Sequence, residues 1–308
     1  MKSKNIIFNH RSKRERPSLD NKCLLSWNSL TATAFIQSSI ALNNSKFLEE
    51  GLNLLKNIFK QFKSPQGYFH VLTNGQAKIF PFVDDLGFLL ETSIEALLLT
   101  GCENLLDEIL NLVKIIHKNY VDPISGTLYF SKNETDLINR PIKPEDNVIY
   151  SANSAIFGSL TKLILWLGSS NNYNKISITN HKMIESLALI SVSNTVILAQ
   201  KIPTACSQML QKIKCLEHKN TIIINNNNDN STSLSIAHLA YSTCIHHLND
   251  YCVIGSILNT KYDLANIHEY IRNQMNLNFE TEYSFCNAKG CMLPTKNLSE
   301  LFLQNKDS

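Results

Sequence analysis

No stretch of the chain reaches the ~18 consecutive apolar residues that a membrane helix requires, so a membrane span is not expected. The opening Met1-Lys2-Ser3-Lys4-Asn5-Ile6-Ile7-Phe8 has too short an apolar core for a secretory signal. The eight cysteines are scattered, and no C-x-x-C occurs among them. That usage fits a reducing compartment, and the chain is expected to be cytoplasmic. Most cysteines, Cys23, Cys102 and Cys244 among them, are expected to be buried small hydrophobes. Charge of one sign is also scarce, with a formal net charge of only +3. The one basic run, His10-Arg11-Ser12-Lys13-Arg14-Glu15-Arg16, reads as a solvated lead, and no second basic face accompanies it. Nucleic acid is therefore not an expected partner.

What is present is the composition of a globular protein, with 44% hydrophobic and 18% charged residues in 308. Such a chain buries a full core and fits one large domain or two modest ones. From Trp27 to about Ser191 the apolar period is helical, and the helices pair. The first spans Trp27 to Leu42. The second starts at Ser45 as N-cap and repeats Phe47, Leu54, Leu55, Ile58 and Phe62. The third begins at Asp84 or Asp85, carries Leu86, Leu90, Ile94 and Leu97, and stops at Gly101. The fourth has the cleanest stripe, Leu105, Ile109, Leu112, Val113, Ile116 and Tyr120. The fifth runs from Ser151 to Leu167 with Gly168 as its stop, and a sixth includes Met183, Leu187 and Ile190.

Links within a pair are short (Asn43-Asn44, Gly101-Cys102), whereas links between pairs are long and carry strand-like residues. Gly67 to Leu72, Asn74-Gly75 and Ala77 to Phe80 predict a β-hairpin with a type I′ turn. Asp122-Pro123 through Gly126 to Ser131 predicts a second turn and strand. Long loops recurring before every odd-numbered helix crown one rim, where functional residues concentrate. Beyond Ser193 the pattern changes: Asn194–Ala199 and Asn220–Asn225 read as strands around a helix from Ala205 to Leu216, a small α/β insert. Asn225 to Asn230 is a polar loop of low complexity. Helices are predicted near Leu234–His247 and Tyr262–Met275, then a strand, a turn and a closing helix to about Leu303. The chain thus divides into a helical-hairpin part, 1–192, and a C-terminal part, 193–308.

Four groups of residues carry candidate chemistry. In Arg16-Pro17-Ser18-Leu19-Asp20-Asn21-Lys22 and Ser26-Trp27-Asn28, the residues Asp20, Lys22 and Asn28 would bind a polar ligand and the Trp27 indole would support a sugar ring. Helix capping by Ser26 is the plainer account. Asp84 and Asp85, followed by Glu91 and Glu95, offer an acid and a base of the kind glycoside chemistry needs, although a helix start attracts carboxylates anyway. Adjacent helical residues point apart, so at most one of the pair faces a cleft. Arg140, Lys143, Glu145 and Asp146 share one loop before Ser151 and Asn153, which serve equally as caps or as ligand contacts. Cys286 and Cys291 sit five residues apart across a turn, where the thiols would meet as a disulfide, a redox-sensitive pair or half of a metal site.

In order along the chain these blocks resemble the thioredoxin-domain-containing proteins related to spermatogenesis-associated protein 20. Arg16-x-x-Leu19-Asp20-x-Lys22 with Ser26-Trp27-Asn28-x-Leu30 is similar to that family's R-P-x-x-D-x-K-x-L-x-S-W-N-G-L. Asp84-Asp85-x-x-Phe88-Leu89 is similar to D-D-Y-A-F-L. The block from Gly126, Tyr129 and Phe130 to Arg140, Lys143, Asp146-Asn147 and Ser151-x-Asn153-Ser154 is the third, and Tyr283-x-x-Cys286 with Cys291-x-x-Pro294 the fourth. Ser29 stands where the family has Gly, Leu86-Gly87 where it has Tyr-Ala, and Tyr150 and Ala152 replace a Pro and a Gly. The resemblance implies a mainly α fold, a partial (α/α)6 six-hairpin toroid of the kind found in glycosidases and epimerases. It covers only the C-terminal half of that family, without the thioredoxin domain. The expectation is a protein that binds or acts on a carbohydrate and needs no cofactor. The alternative is a non-catalytic module that pairs with a separately encoded N-terminal half or with itself.

Overall fold

The computed structural model describes residues 2–100, 102, 104–133, 138–167, 176–218, 221–226, 253–258, 282–287 and 290–291. Its elements in order are α1 (Lys2–Ser12), β1 (Cys23–Leu24), α2 (Leu25–Ala41), α3 (Ser45–Phe62), β2 (Lys63–Ser64), β3 (Gly67–Tyr68), β4 (Val71–Thr73) and β5 (Gln76–Lys78). There follow α4 (Val83–Thr100), α5 (Asn104–Tyr120), α6 (Ala152–Leu167), α7 (Ile178–Lys201), a 3-10 turn at Pro203–Cys206 and α8 (Ser207–His218). The strands β6 (Thr221–Asn226), β7 (Val253–Leu258), β8 (Glu282–Asn287) and β9 (Gly290–Cys291) complete it. Of the basic lead, His10 to Ser12 end α1, which has no buried residue, and Lys13 to Arg16 follow it as exposed chain.

The fold is mainly α, and among the described residues α2–α3, α4–α5 and α6–α7 form three hairpins. The first members pack on one another in the row α2–α4–α6, while α3, α5 and α7 lie behind them as an outer row. This inner and outer layering is that of an (α/α) toroid. Composition explains which helix goes where. α3 and α5 carry a single apolar stripe and bury only that face, as surface helices do. α4 is apolar nearly all round and is buried nearly all round. Small residues let the inner helices approach closely. A Cβ on Gly87 would come within 3.3 Å of Ile156 and 3.4 Å of Ala152 on α6. Between α2 and α4, Thr33 and Thr92 share a hydrogen bond of 2.8 Å, and Thr92 also donates to the Ser29 carbonyl.

The long links lie where the inner helices begin. β4 pairs with β5 across Asn74 and Gly75, whose φ values of 51° and 73° are those of the type I′ turn. β1 joins β4, so this hairpin is sewn to the entry of α2. The second link is held by Val83 N donating to Phe130 O and Phe130 N donating to Pro141 O. In the C-terminal part β6 pairs in parallel with β7 and antiparallel with β8, giving the order β7-β6-β8-β9, and β7 runs beside α4 and α6.

Some elements differ from expectation. Asn194–Ala199 is not a strand but the last turns of α7, because Ile184, Leu187, Ser191 and Thr195 continue one buried helical face through it. α3 is capped by Asn44, whose side chain accepts from Lys46 N, and Ser45 is already inside the helix. Cys23 and Cys102 are exposed rather than buried, and Cys206 is buried. α7 alone among the described helices is long and apolar enough to cross a membrane; here it packs against α6 and buries His181, Ile184 and Leu187. Gly101, Gly168, Cys244, the predicted helices near 234–247 and 262–275 and the closing helix lie outside the described residues.

Candidate functional site

The first turns of α2, α4 and α6 meet at one end of the inner row. Asp85 ties the first two together: its Oδ1 accepts from Ser26 N at 3.1 Å, and its Oδ2 accepts from Phe82 N at 2.8 Å. The second bond is the backward half of a capping box, in which the side chain of the third helical residue satisfies the amide just outside the helix. Asp85 is fully buried, and its Oδ2 also meets His70 Nδ1 at 2.8 Å. His70 reaches it from the β-hairpin, where its own amide donates to Ile79 O and its carbonyl accepts from Leu25 N. The hydrogen bond to Asp85 holds the His70 imidazole above the usual histidine range, against partial burial.

Asp84 points the other way, toward α6. Its carboxylate accepts from the Ala152 amide and lies in the fields of Lys143 and His70. Burial, and then the charge of Asp85 beside it, outweigh these and push its carboxyl up to about 6. Asn153 follows directly on α6. It is 2% exposed, its Nδ2 donates to the Lys143 carbonyl at 3.3 Å, and its Oδ1 is buried without a hydrogen-bond partner. A buried acceptor without a partner is a group that a donor hydroxyl would satisfy.

The remaining predicted residues divide by use. Asp146 joins helix ends: Oδ1 accepts from Ser151 N at 3.0 Å, and Oδ2 accepts from Gln208 N at 2.9 Å at the start of α8. Ser151 caps α6, its Oγ accepting from Ser154 N. Arg140 donates to the carbonyls of Ser131 and Asn119 while its guanidinium lies 4.2 Å from the Tyr129 ring centre. That clamps the second loop. Asp20 and Lys22 pair with each other at 3.3 Å on the surface, and Asn28 donates back to the Leu24 carbonyl. Trp27 is 63% exposed in the first turn of α2, at the rim end of the row. Cys286 and Cys291 are register partners in the β8–β9 ladder. Among the described residues no three His, Cys, Asp or Glu side chains gather with metal-binding spacing.

Two features escaped the sequence reading. His70 sits in the hairpin between Phe69 and Val71, and nothing local ties it to a carboxylate fifteen residues on; the only signal is a titratable residue on the link just before an acidic helix start. Below the rim, Tyr150 donates to the buried Glu91 at 2.5 Å, and Lys162 pairs with Glu95 one turn further along α4. Burial raises the Glu91 carboxyl, and the Tyr150 hydroxyl is raised by its own burial and by Glu91.

No protein-family model matches the chain. An uncharacterised protein of Caenorhabditis elegans is 26% identical over 172 residues, which is 52% of this chain and 23% of that protein. The match thus spans about a quarter of the length of the curated relative. Among solved structures, the chain resembles a GH76 α-mannanase of Bacteroides thetaiotaomicron at TM-score 0.44 and 11% identity, covering 77% of this chain and 73% of that one. A sugar epimerase from a ruminal bacterium gives TM-score 0.40 at 12% identity, with 56% and 44% covered. A cellobiose 2-epimerase from Spirochaeta thermophila gives 0.41 at 13%, with 55% and 43% covered.

Proposed function

We propose that the rim is a proton-transfer site for a saccharide, with His70 and Asp84 as the reacting pair. The observation that carries this reading is the Asp85–His70 contact of 2.8 Å beside a second carboxyl held near 6. A carboxylate on Nδ1 fixes the tautomer and stabilises the imidazolium, which makes Nε2 the nitrogen that exchanges a proton. Asp84 in its protonated form then supplies a proton to a sugar oxygen while His70 takes one from the neighbouring carbon, and the reverse transfer completes an epimerisation or isomerisation. Hydrolysis fits less well. It needs two carboxyl groups facing each other across the glycosidic bond, whereas Asp85 is buried and bonded to Ser26 N, Phe82 N and His70. Asn153 and Lys143 would hold hydroxyls, and Trp27 would offer an apolar face at the rim. Arg140, Asp146 and Ser151 support the loop and the helix ends. The kinship with the thioredoxin-domain-containing family belongs to this proposal too.

Ligand-detected NMR against a panel of reducing sugars and disaccharides tests it, using the native chain, His70→Asn and Asp84→Asn. Binding by the native chain that is lost in both variants is the expected result. Binding indifferent to both changes, or none at all, sinks the proposal.

A second reading is a module that docks a further helical hairpin. It is favoured by the outer face of α2, the edge of the inner row, where Trp27, Thr31, Ala34 and Gln37 are exposed. Sedimentation velocity tests self-pairing, for which concentration-dependent dimerisation is expected and a monomer at all concentrations is the contrary result.

A further inference from the structure

Two lysines on the rim stand over aromatic faces instead of beside carboxylates. Lys143 Nζ lies 3.7 Å from the Phe130 ring centre, and Lys132 Nζ lies 4.1 Å from that of Phe80. Both rings are stacked, and the stack of Phe130 reaches His70. Phe130 stacks on Phe82 at 4.8 Å, Phe82 meets the edge of His70 at 5.0 Å, and Phe80 stacks on Phe69 at 6.3 Å. Neither ammonium has a carboxylate within ion-pair distance among the described residues. Asp84 feels the Lys143 charge, but across a longer gap.

Two of the nearby carboxylates are otherwise engaged. Asp85 holds His70 and two amides, and Asp146 holds the starts of α6 and α8. Arg140 adds a third cation whose hydrogen bonds run to neutral carbonyls, with Asp122 as the acidic group in its field. An ammonium over a ring face is held in place and partly stripped of water while its charge is kept. Cations fixed in this way meet an incoming anion with little further ordering cost. Phe80 remains 43% exposed, which leaves the Lys132 position open to solvent.

We propose that the rim selects an anionic saccharide, one bearing a carboxylate or a phosphate, with Lys143 and Lys132 taking the anionic group. This rests on the saccharide reading above and adds to it the charge of the ligand.

Calorimetric titrations at low and high salt test it with matched pairs: a uronic acid against its neutral hexose, and a hexose phosphate against the free hexose. Inorganic phosphate alone is the control. The charged member of one pair is expected to bind about tenfold more tightly, the scale of one hydrogen bond to a charged group. Lys143→Met should abolish that preference, so that the charged and neutral members bind equally, while Lys143→Arg should keep it, and Lys132→Met should weaken it. Whichever pair shows the preference identifies the anion as carboxylate or phosphate. Equal binding of charged and neutral sugars overturns the inference and leaves the saccharide reading standing. Inorganic phosphate binding as tightly as the sugar phosphate overturns it as well. No binding by any sugar removes both.

Discussion

Helices α4 and α5 are the two arms of one hairpin, yet they are built on opposite plans. α5 buries Ile109, Leu112, Val113, Ile116 and Tyr120 and leaves most of its polar residues at the surface. α4 buries almost everything from Val83 to Leu99, including Asp85, Glu91, Thr92 and Ser93. A polar group on the outer arm has water for a partner, so its identity says little. On the inner arm each polar group must find a partner inside the protein or stand at a high desolvation cost. Asp85 has three donors, Glu91 has Tyr150, Thr92 has Ser29 O and Thr33, and Ser93 has Leu89 O. Asp84, in the first turn, meets the Ala152 amide and the fields of Asp85, Lys143 and His70, which is why the proposed reaction uses it.

The sharpest way to test that contrast is Asp85→Ala. It strips acceptors from Ser26 N, Phe82 N and His70 at about 1–3 kcal/mol for each buried group left unpaired, so a loss of roughly 4 kcal/mol is expected in urea denaturation. Leu112→Ala on the outer arm should cost about 3 kcal/mol through its cavity. Lys114→Ala, on the wet face of the same helix, should stay within about 0.5 kcal/mol. If Asp85→Ala proves as mild as Lys114→Ala, the inner arm does not depend on its polar partners.

Stability against pH sharpens the comparison further. Asp84 has a folded pKa of about 6, raised from 3.8, so the folded state is favoured while this group is protonated. That advantage is lost as pH rises from about 4 through 6. His70 is also raised, so its contribution is full below its unfolded value near 6.5 and fades as pH passes its higher folded value. Melting temperature should therefore fall in two steps with rising pH. Asp84→Asn should shrink the lower step, to which the raised Glu91 also contributes, and His70→Asn should remove the upper one. A lower step unchanged by Asp84→Asn, or an upper step surviving His70→Asn, would contradict the assignment.

An effect smaller than those of Asp85 and Leu112, and of opposite sign, concerns the rim itself. Ile79 holds a φ of 63°, a left-handed conformation that a β-branched residue adopts only under strain, and it is 59% exposed. Ile79→Gly should stabilise the protein by roughly 0.5–1 kcal/mol, because relief of strain exceeds the entropy lost with glycine. A destabilisation measured by thermal denaturation would mean that the side chain holds the hairpin in place.

The outer helices were the easiest to read, because a stripe such as Leu105 to Tyr120 belongs to one period and one face. The inner helix α4 was read from its acidic start and apolar body, and the I′ turn from Asn74-Gly75. The sequence alone predicts a shorter α7, because Thr195, Val196 and Ile197 resemble a strand when taken alone; packing against α6 overrides that local preference. The site was only half legible. The Asp84 and Asn153 blocks come together through the Ala152 amide, and Asn153 reaches the Lys143 carbonyl, whereas Asp146 serves a helix start that lies 62 residues away. His70 and the Tyr150–Glu91 pair were invisible because their contacts depend on how the links fold back over the inner row.

Solvent-deuterium exchange puts the central claim to the most direct test. The chain would be incubated in deuterated water with a panel of neutral and acidic reducing sugars, and each sugar examined by NMR. The account predicts deuterium at the carbon beside the carbonyl of at least one sugar, abolished by His70→Asn. New reducing ends without deuterium, or exchange undiminished by that substitution, would contradict it.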